Sequence, residues 1–357
     1  MISTKLKKSI YLKNNLSLNE PIIFIDTEII HTKYQNFLNQ CPKNVSLVYP
    51  VKSFPMKEFF NKTANYLGGF EISNLNEFSL IENYINNKQT IFLSNFFQAK
   101  ETLPNITADY IFDIGYLEQV PLAKDYNSLS LRVKPSSDIE QGEKSRFGLE
   151  LKDIIEISQD PSITDRITTL HFHIGFEKTS LQDLKKTVQY LIDIKEAHLK
   201  SVKTINIGGG ISTLSPNEIL ELLEYLEALP FHFYIEAGRY FSEDACFAVG
   251  KVLSVKKKNE KFEVLTNLSH ECHLKWDRPL HFTVMSNNCD HQEYRLSDDV
   301  IFYGLTAYEN DIVAAFKLQN SIMIKAGDTV IFDNLSGYAI AWNTSFNGLS
   351  PAKIFFI

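Results

Sequence analysis

From about residue 20 to residue 240, short apolar runs alternate with longer amphipathic stretches. PIIFID, VSLVYPV, GGFEIS, TIFLS, YIFDI, LSLRV, LHFHIG, TINIGGG and FHFYIEAG are rich in β-branched and aromatic residues and too short for helices, so they read as strands. Between several of them apolar positions recur every three or four residues. SLQDLKKTVQYLIDIKEAHLK sets Leu181, Leu184, Val188, Leu191 and Ile192 on one face, and SPNEILELLEYLEAL repeats the pattern behind a Ser-Pro start. Strand and helix in repeated alternation predict an α/β fold with a parallel sheet covered by helices. The strand count favours a (β/α)8 barrel over a doubly wound sheet. After residue 240 the texture changes. ACFAVGKVLSVKKKNEKFEVLTNLS, RPLHFTVMS, VIFYGLTAY, SIMIKAGDTVIFDNLSGYAIAW and AKIFFI follow one another with little helical pattern between them, predicting an antiparallel β-sandwich or barrel domain. The expected organisation is an N-terminal segment, 1–24, packing with the β domain, a barrel over 25–240 and a β domain over 241–357.

Composition narrows the function classes. Of 357 residues, 44% are hydrophobic and 26 are phenylalanine, enough for a large core. A formal charge of -7 leaves no basic footprint for nucleic acid. No stretch approaches the roughly 20 apolar residues of a membrane helix. The basic start MISTKLKKSIYLKNN lacks the apolar run of a signal peptide. Cys41, Cys246, Cys272 and Cys289 are scattered without a CxxC pair, which suits free thiols in a cytoplasmic protein.

Four features could carry chemistry. Lys52 interrupts the apolar run LVYPVKSFP, where a buried amine needs a partner. Gly208, Gly209 and Gly210 end an apolar strand, where they serve either as an anion cradle or as a tight strand-to-helix turn. His171 and His173 share a face if HFHIG is a strand; the later strand ends lack the further ligands a metal would need, so no metal is expected. In YIEAGRY, Glu236 and Arg239 either pair with each other or divide between a heterocyclic nitrogen and a phosphate. An amine, an anion cradle, a histidine, an acid and an arginine at strand ends together describe a site for a phosphorylated aldehyde.

In this order the motifs resemble the fold-type III, pyridoxal-phosphate-dependent decarboxylases, relatives of ornithine, diaminopimelate and carboxynorspermidine decarboxylases with an alanine racemase-like barrel. The resemblance covers nearly the whole chain. It implies that Lys52 in YPVKSFP is the Schiff-base lysine and that Glu71 and Glu77 in GGFEISNLNE lie near the cofactor. It places His173 on the pyridoxal ring, Gly208–Gly210 at the phosphate, Glu236 on the pyridine nitrogen and Arg239 on the phosphate. GDTVIFDNLSGYAIAWNTSFNG is similar to the family's C-terminal pattern, which implies Tyr338 at the phosphate with Phe346 and Asn347 nearby. The implied cofactor is pyridoxal 5'-phosphate, and the implied catalytic set is Lys52, His173 and Glu236. The implied partners are an amino acid substrate and a second copy of the chain, in a homodimer that shares its active sites, with Arg132 and Asp311 pairing across the interface.

The chain departs from the family in three places. In GLTAYEND, Ala307 stands where the family has a loop cysteine, followed by Tyr308, while Asp311 is kept; Cys289 and Asp290 upstream fit that loop less well. Phe176 follows HIG where many members carry serine, and Ala237 replaces the proline of EPGR. Ser269, His273, Asp277 and Arg278 in SHECHLKWDRP are similar to a carboxynorspermidine decarboxylase segment, whereas HFHIG and EAGR look like the diaminopimelate and ornithine branch. This mixture leads to the expectation of a basic amino acid substrate or an acid-bearing derivative of one, such as a carboxylated polyamine or a citryl-diamine siderophore intermediate. His273 and Arg278 are then the candidates for a second carboxylate. The alternatives are an ornithine, lysine or diaminopimelate decarboxylase, a racemase of the same fold, and a non-catalytic family member.

Overall fold

The structure is a computed structural model that describes residues 20–98, 100–106, 108–136, 139, 145–175, 179–259, 261–286, 291–297 and 299–357. Phe176, Cys289, Asp290 and most of the segment 1–24 lie outside the described residues. Two compact units divide the chain: one takes the residues up to Thr32 together with Phe241–Ile357, the other takes Lys33–Tyr240.

The first strand, β1 (Ile22–Ile25), belongs to the former unit. In the latter, eight parallel strands close a barrel: β2 (Val45–Pro50), β3 (Gly69–Ile72), β4 (Thr90–Ser94), β5 (Asp109–Ile114), β6 (Ser128–Arg132), β7 (Ile167–His171), β8 (Thr204–Asn206) and β9 (His232–Ile235). Closure is made by β2 against β9, with Val45 opposite Phe233 and Leu47 opposite Ile235. Parallel strands covered on both faces need apolar side chains at nearly every position. β2, β3 and β4 meet that need, and Val48, Phe92 and Ile111 pack together with Tyr234 inside the barrel.

Helices return the chain between strands, and the caps that start them are readable in the sequence. Ser180 accepts from the Asp183 amide at the start of Leu181–His198, and Ser215 forms a capping box with Glu218 ahead of Pro216–Glu227. The buried face of Leu181–His198 runs through Leu181, Leu184, Thr187, Val188, Leu191 and Ile194. Ile192, expected on that face, is only half-buried, because the 3.6-residue period carries the stripe from Leu191 to Ile194.

The other unit is a mixed sheet, which corrects the purely antiparallel expectation. Its long central strand, Cys246–Lys258, pairs antiparallel with β1, Lys261–Thr266 and Thr329–Leu335. Two pairings are parallel: β1 with Lys353–Phe356, and Lys261–Thr266 with Asp299–Tyr303. Phe24 stacks on Phe247 at 4.9 Å, and Ile22, Val249 and Ile331 complete that core. PIIFID therefore reads correctly as a strand but is not a barrel strand. Among the described residues no helix is long and apolar enough to cross a membrane.

Candidate active site

All eight barrel strands deliver a polar or charged group at or near their C-terminal ends, the end at which barrel active sites are built. From β2 to β9 these are Lys52, Glu71, Ser94, Asp113, Arg132, His171, Asn206 and Glu236. Lys52 does not lie within β2, as the apolar run suggests. The strand ends at Pro50, and Lys52 occupies the three-residue helical turn Val51–Ser53, whose other two residues are buried. Its amine is 2.9 and 2.8 Å from the two carboxylate oxygens of Glu71, with the lysine side chain about half exposed and the glutamate buried. Glu77 caps the next helical stretch by accepting from the Ser73 amide, and burial pushes its carboxyl up.

The triple glycine joins β8 to a short helical turn, and close packing requires it. Gly208 (φ +64°) would drive a Cβ into the Phe172 carbonyl and to 2.7 Å from His173 Nδ1. Gly210 (φ +92°) would place one 2.9 Å from Thr179 Oγ1. Two of the three amides are committed inside the chain: Gly208 N–H donates to Asn206 Oδ1 (2.9 Å) and Gly209 N–H to His173 Nδ1 (2.9 Å). The turn is thus a tight strand exit whose anion-facing share is smaller than three free amides. Gly210 N–H has no hydrogen-bond partner among the described residues, and Arg239 opens the helical turn Arg239–Ser242 after β9.

Because Nδ1 of His173 is an acceptor, its Nε2 carries the proton. Burial, with the Arg132, Lys52 and His171 charges adding to it, pushes His173 well below the ordinary histidine range, so it is neutral. Glu236 is buried, its Oε1 accepts from Asn206 Nδ2 (2.8 Å), and its own amide donates to the Gly208 carbonyl (2.7 Å). Burial, with the Glu71 charge adding to it, holds its carboxyl above the usual carboxylate range, and His171, Lys52 and Asn206 pull against that without reversing it. Arg132 lies over the Phe147 ring at 4.7 Å. Among the described residues no cluster of three or more His, Cys, Asp or Glu side chains could hold a metal ion.

Tyr338 begins a four-residue helical turn, Tyr338–Ala341, and Arg278 is exposed. His273 is not available to a second carboxylate, contrary to expectation. It is fully buried, its Nδ1 accepts from the Ser269 amide (3.1 Å), and its Nε2 donates to the Ser350 carbonyl (3.1 Å). Asp277 is also structural: it is buried, and its Oδ1 accepts from the Ser336 amide and hydroxyl at 3.0 and 2.7 Å.

Asp311 holds the GLTAYEND loop together within its own unit. It is buried, Oδ1 accepts from the His270 amide (2.8 Å), and Oδ2 accepts from the Thr306 hydroxyl (2.5 Å). Ala307 donates its amide to Asn347 Oδ1 (3.0 Å). Tyr308 and Phe346 are exposed, and a cavity of about 390 Å³ lies along Thr306, Ala307, Tyr308 and Asp311.

Asp113 and Asn206 were missed in the sequence. An acid inside YIFDI and an amide inside TINIGGG, each the polar exception near the end of an apolar strand, were the available signals.

The residues at the barrel end fit pyridoxal phosphate: an amine paired to a carboxylate, a neutral imidazole, a buried acid, a tight glycine turn after β8 and an arginine just after β9. Comparison with known proteins agrees. Residues 27–243 match the model for the pyridoxal-dependent decarboxylase, pyridoxal binding domain. The biosynthetic arginine decarboxylase of Pseudomonas putida is 27% identical over 186 residues, covering 42% of this chain and 29% of that protein. The one from Prochlorococcus marinus is 23% identical over 232 residues, 54% of this chain and 36% of that protein. The matched stretch thus spans only about a third of these relatives' length. Among solved structures, lysine/ornithine decarboxylase from Vibrio vulnificus with cadaverine has a TM-score of 0.76 at 19% identity, covering 100% of both chains. Carboxynorspermidine decarboxylase from Campylobacter jejuni with norspermidine has a TM-score of 0.68 at 18% identity, covering 94% of this chain and 93% of that one. At these identities the structural likeness shows the alanine racemase-like fold, and the family match gives the cofactor as pyridoxal phosphate. The chain belongs to the pyridoxal-dependent decarboxylase family.

Proposed function

We propose that this protein decarboxylates a basic amino acid, or an acid-bearing derivative of one, releasing an amine and carbon dioxide. The observation that carries the reading is the convergence of Lys52, Glu71, His173, Glu236 and the glycine turn on one end of the barrel. Pyridoxal phosphate, when bound, supplies an aldehyde that condenses with amines and a ring that accepts the electron pair left by the departing carboxylate.

The chain's own residues do the rest. Lys52 offers its amine at a strand exit, half exposed and therefore reachable. Glu71 holds that amine as an ammonium through both oxygens and is the nearest base to take its proton. Glu236 is the acid that holds a proton at the ring nitrogen, and its burial strengthens that interaction. His173, neutral and fixed in one tautomer, presents an uncharged ring to the cofactor. Gly210 N–H and Arg239 are the groups assigned to the phosphate.

Substrate choice rests on Arg278, which is exposed and presents a guanidinium suited to a second carboxylate. The withdrawal of His273 into the core leaves Arg278 as the one cation of that segment's pair. Arginine, lysine/ornithine and carboxynorspermidine decarboxylases among the relatives all act in the basic amino acid range, which supports that substrate class. Carbon dioxide release is to be measured with carboxynorspermidine, citryl-ornithine, ornithine, lysine, arginine and diaminopimelate in competition. Fastest turnover of an acid-armed substrate supports the Arg278 assignment, and fastest turnover of free ornithine, lysine or arginine removes it. Ala307 at the place of the loop cysteine favours a second reading, a non-catalytic member. A protein that takes up pyridoxal phosphate yet releases no carbon dioxide from any of these would support that second reading.

A further inference from the structure

A buried charge pair in the barrel has no part in the chemistry above. His171 Nδ1 and Asp113 Oδ2 lie 2.8 Å apart, and both side chains are sealed from solvent. On the other edge of the same ring, Nε2 has no hydrogen-bond partner among the described residues and faces Glu236 Oε1 at 3.7 Å. The imidazole therefore stands between two buried carboxylates, one on β5 and one just after β9. Buried carboxylates persist as anions only when positive charge or donors face them. The other charged or titratable groups around His171 are Arg132 from β6 and His173, two residues on along the chain.

We propose that His171 is a positioning residue that acts through Glu236: clamped by Asp113 as an imidazolium, it keeps the Glu236 carboxylate charged and aimed at the ring nitrogen of the cofactor. The inference rests on the reading of this barrel end as a pyridoxal phosphate site. Burial, with the Glu71 charge adding to it, holds Glu236 above the usual carboxylate range, and His171 is the largest influence limiting that rise, ahead of Lys52 and Asn206. Burial pushes His171 down, but Asp113 and Glu236 together outweigh it and the ring titrates above its ordinary range. Asp113 falls below its own ordinary range, since His171 and then Arg132 outweigh its burial. A histidine serving only to fill the core would have no need of an acid on each edge.

The test uses holoprotein reconstituted with pyridoxal phosphate labelled with 15N in the ring, and a second sample labelled with 15N-histidine. In the unaltered holoprotein both His171 nitrogens are expected at imidazolium shifts near neutral pH, the resonance being assigned by its loss in His171→Gln. Neutral-imidazole shifts there would overturn the inference without any variant having to fold. The cofactor nitrogen is expected in the protonated range in the unaltered protein and displaced toward the unprotonated range in His171→Gln and Asp113→Asn. In both variants kcat should fall about tenfold or more, the equivalent of one pKa unit, with little change in KM. An unchanged cofactor nitrogen in a folded His171→Gln holoprotein would overturn the inference and leave the cofactor reading standing. An unaltered chain that attaches no pyridoxal phosphate to Lys52 would remove the cofactor reading and this inference with it.

Discussion

At Lys52 the chain leaves β2 for a helical turn, and the amine comes to rest against both oxygens of Glu71. The apolar neighbours made Lys52 conspicuous in the sequence, yet its carboxylate partner stands 19 positions away, across the β2–β3 pairing. Asp113 and Asn206 went unread for a similar reason. Each looks like a single polar exception in an apolar run, and only barrel closure brings them to His171 and Glu236. The Asp113–His171 pair has a definite pH signature. Asp113 titrates lower in the fold, so its contribution is present above its unfolded value, about 3.9, and is lost as pH falls through the folded one. His171 titrates higher, so its contribution is full below its unfolded value, about 6.5, and is lost as pH rises through the folded one. Thermal melts of the unaltered chain and His171→Gln should therefore differ most on the acidic side of neutrality and converge as pH rises. A gap in Tm that stays constant across that range would show the pair to be uncharged packing.

At the scale of elements, the exit of β8 shows how much a short motif can hide. Three glycines announced a tight approach of backbone, and the structure supplies the neighbours: the Phe172 carbonyl, the His173 ring, the Glu236 carbonyl and Thr179. What the motif did not show is that two of its amides are spent on Asn206 and His173. Gly208→Ala should destabilise the barrel by about 2 kcal/mol or more, through a left-handed backbone and a Cβ against fixed atoms. The urea midpoint measures this, and a midpoint within error of the unaltered chain would mean that the turn relaxes freely. In the GLTAYEND loop, Asp311 accepts hydrogen bonds from His270 and Thr306 within its own unit, which ties the loop to the segment before it. His273 turns inward, against expectation, because sequence spacing carries no information on whether a polar side chain finds backbone partners in the core.

At the scale of the molecule, the strand–helix alternation was enough to read the barrel, because parallel strands buried on both faces leave long apolar runs that little else produces. The mixed sheet was less legible. β1 and Lys353–Phe356 pair in parallel from opposite ends of the described chain, a pairing with no local signal. The homodimer stands as a proposal, and sedimentation of the 40.9 kDa chain should give a species of twice that mass, whereas a monomer at micromolar concentration would contradict it. The central claim is that Lys52 at the end of β2 is the residue that takes the cofactor. Borohydride reduction of the pyridoxal-phosphate-loaded protein, followed by peptide mapping, tests it most directly. The account predicts a single phosphopyridoxyl group on Lys52, absent from Lys52→Ala; a label on another lysine, or none in the unaltered protein, would contradict it.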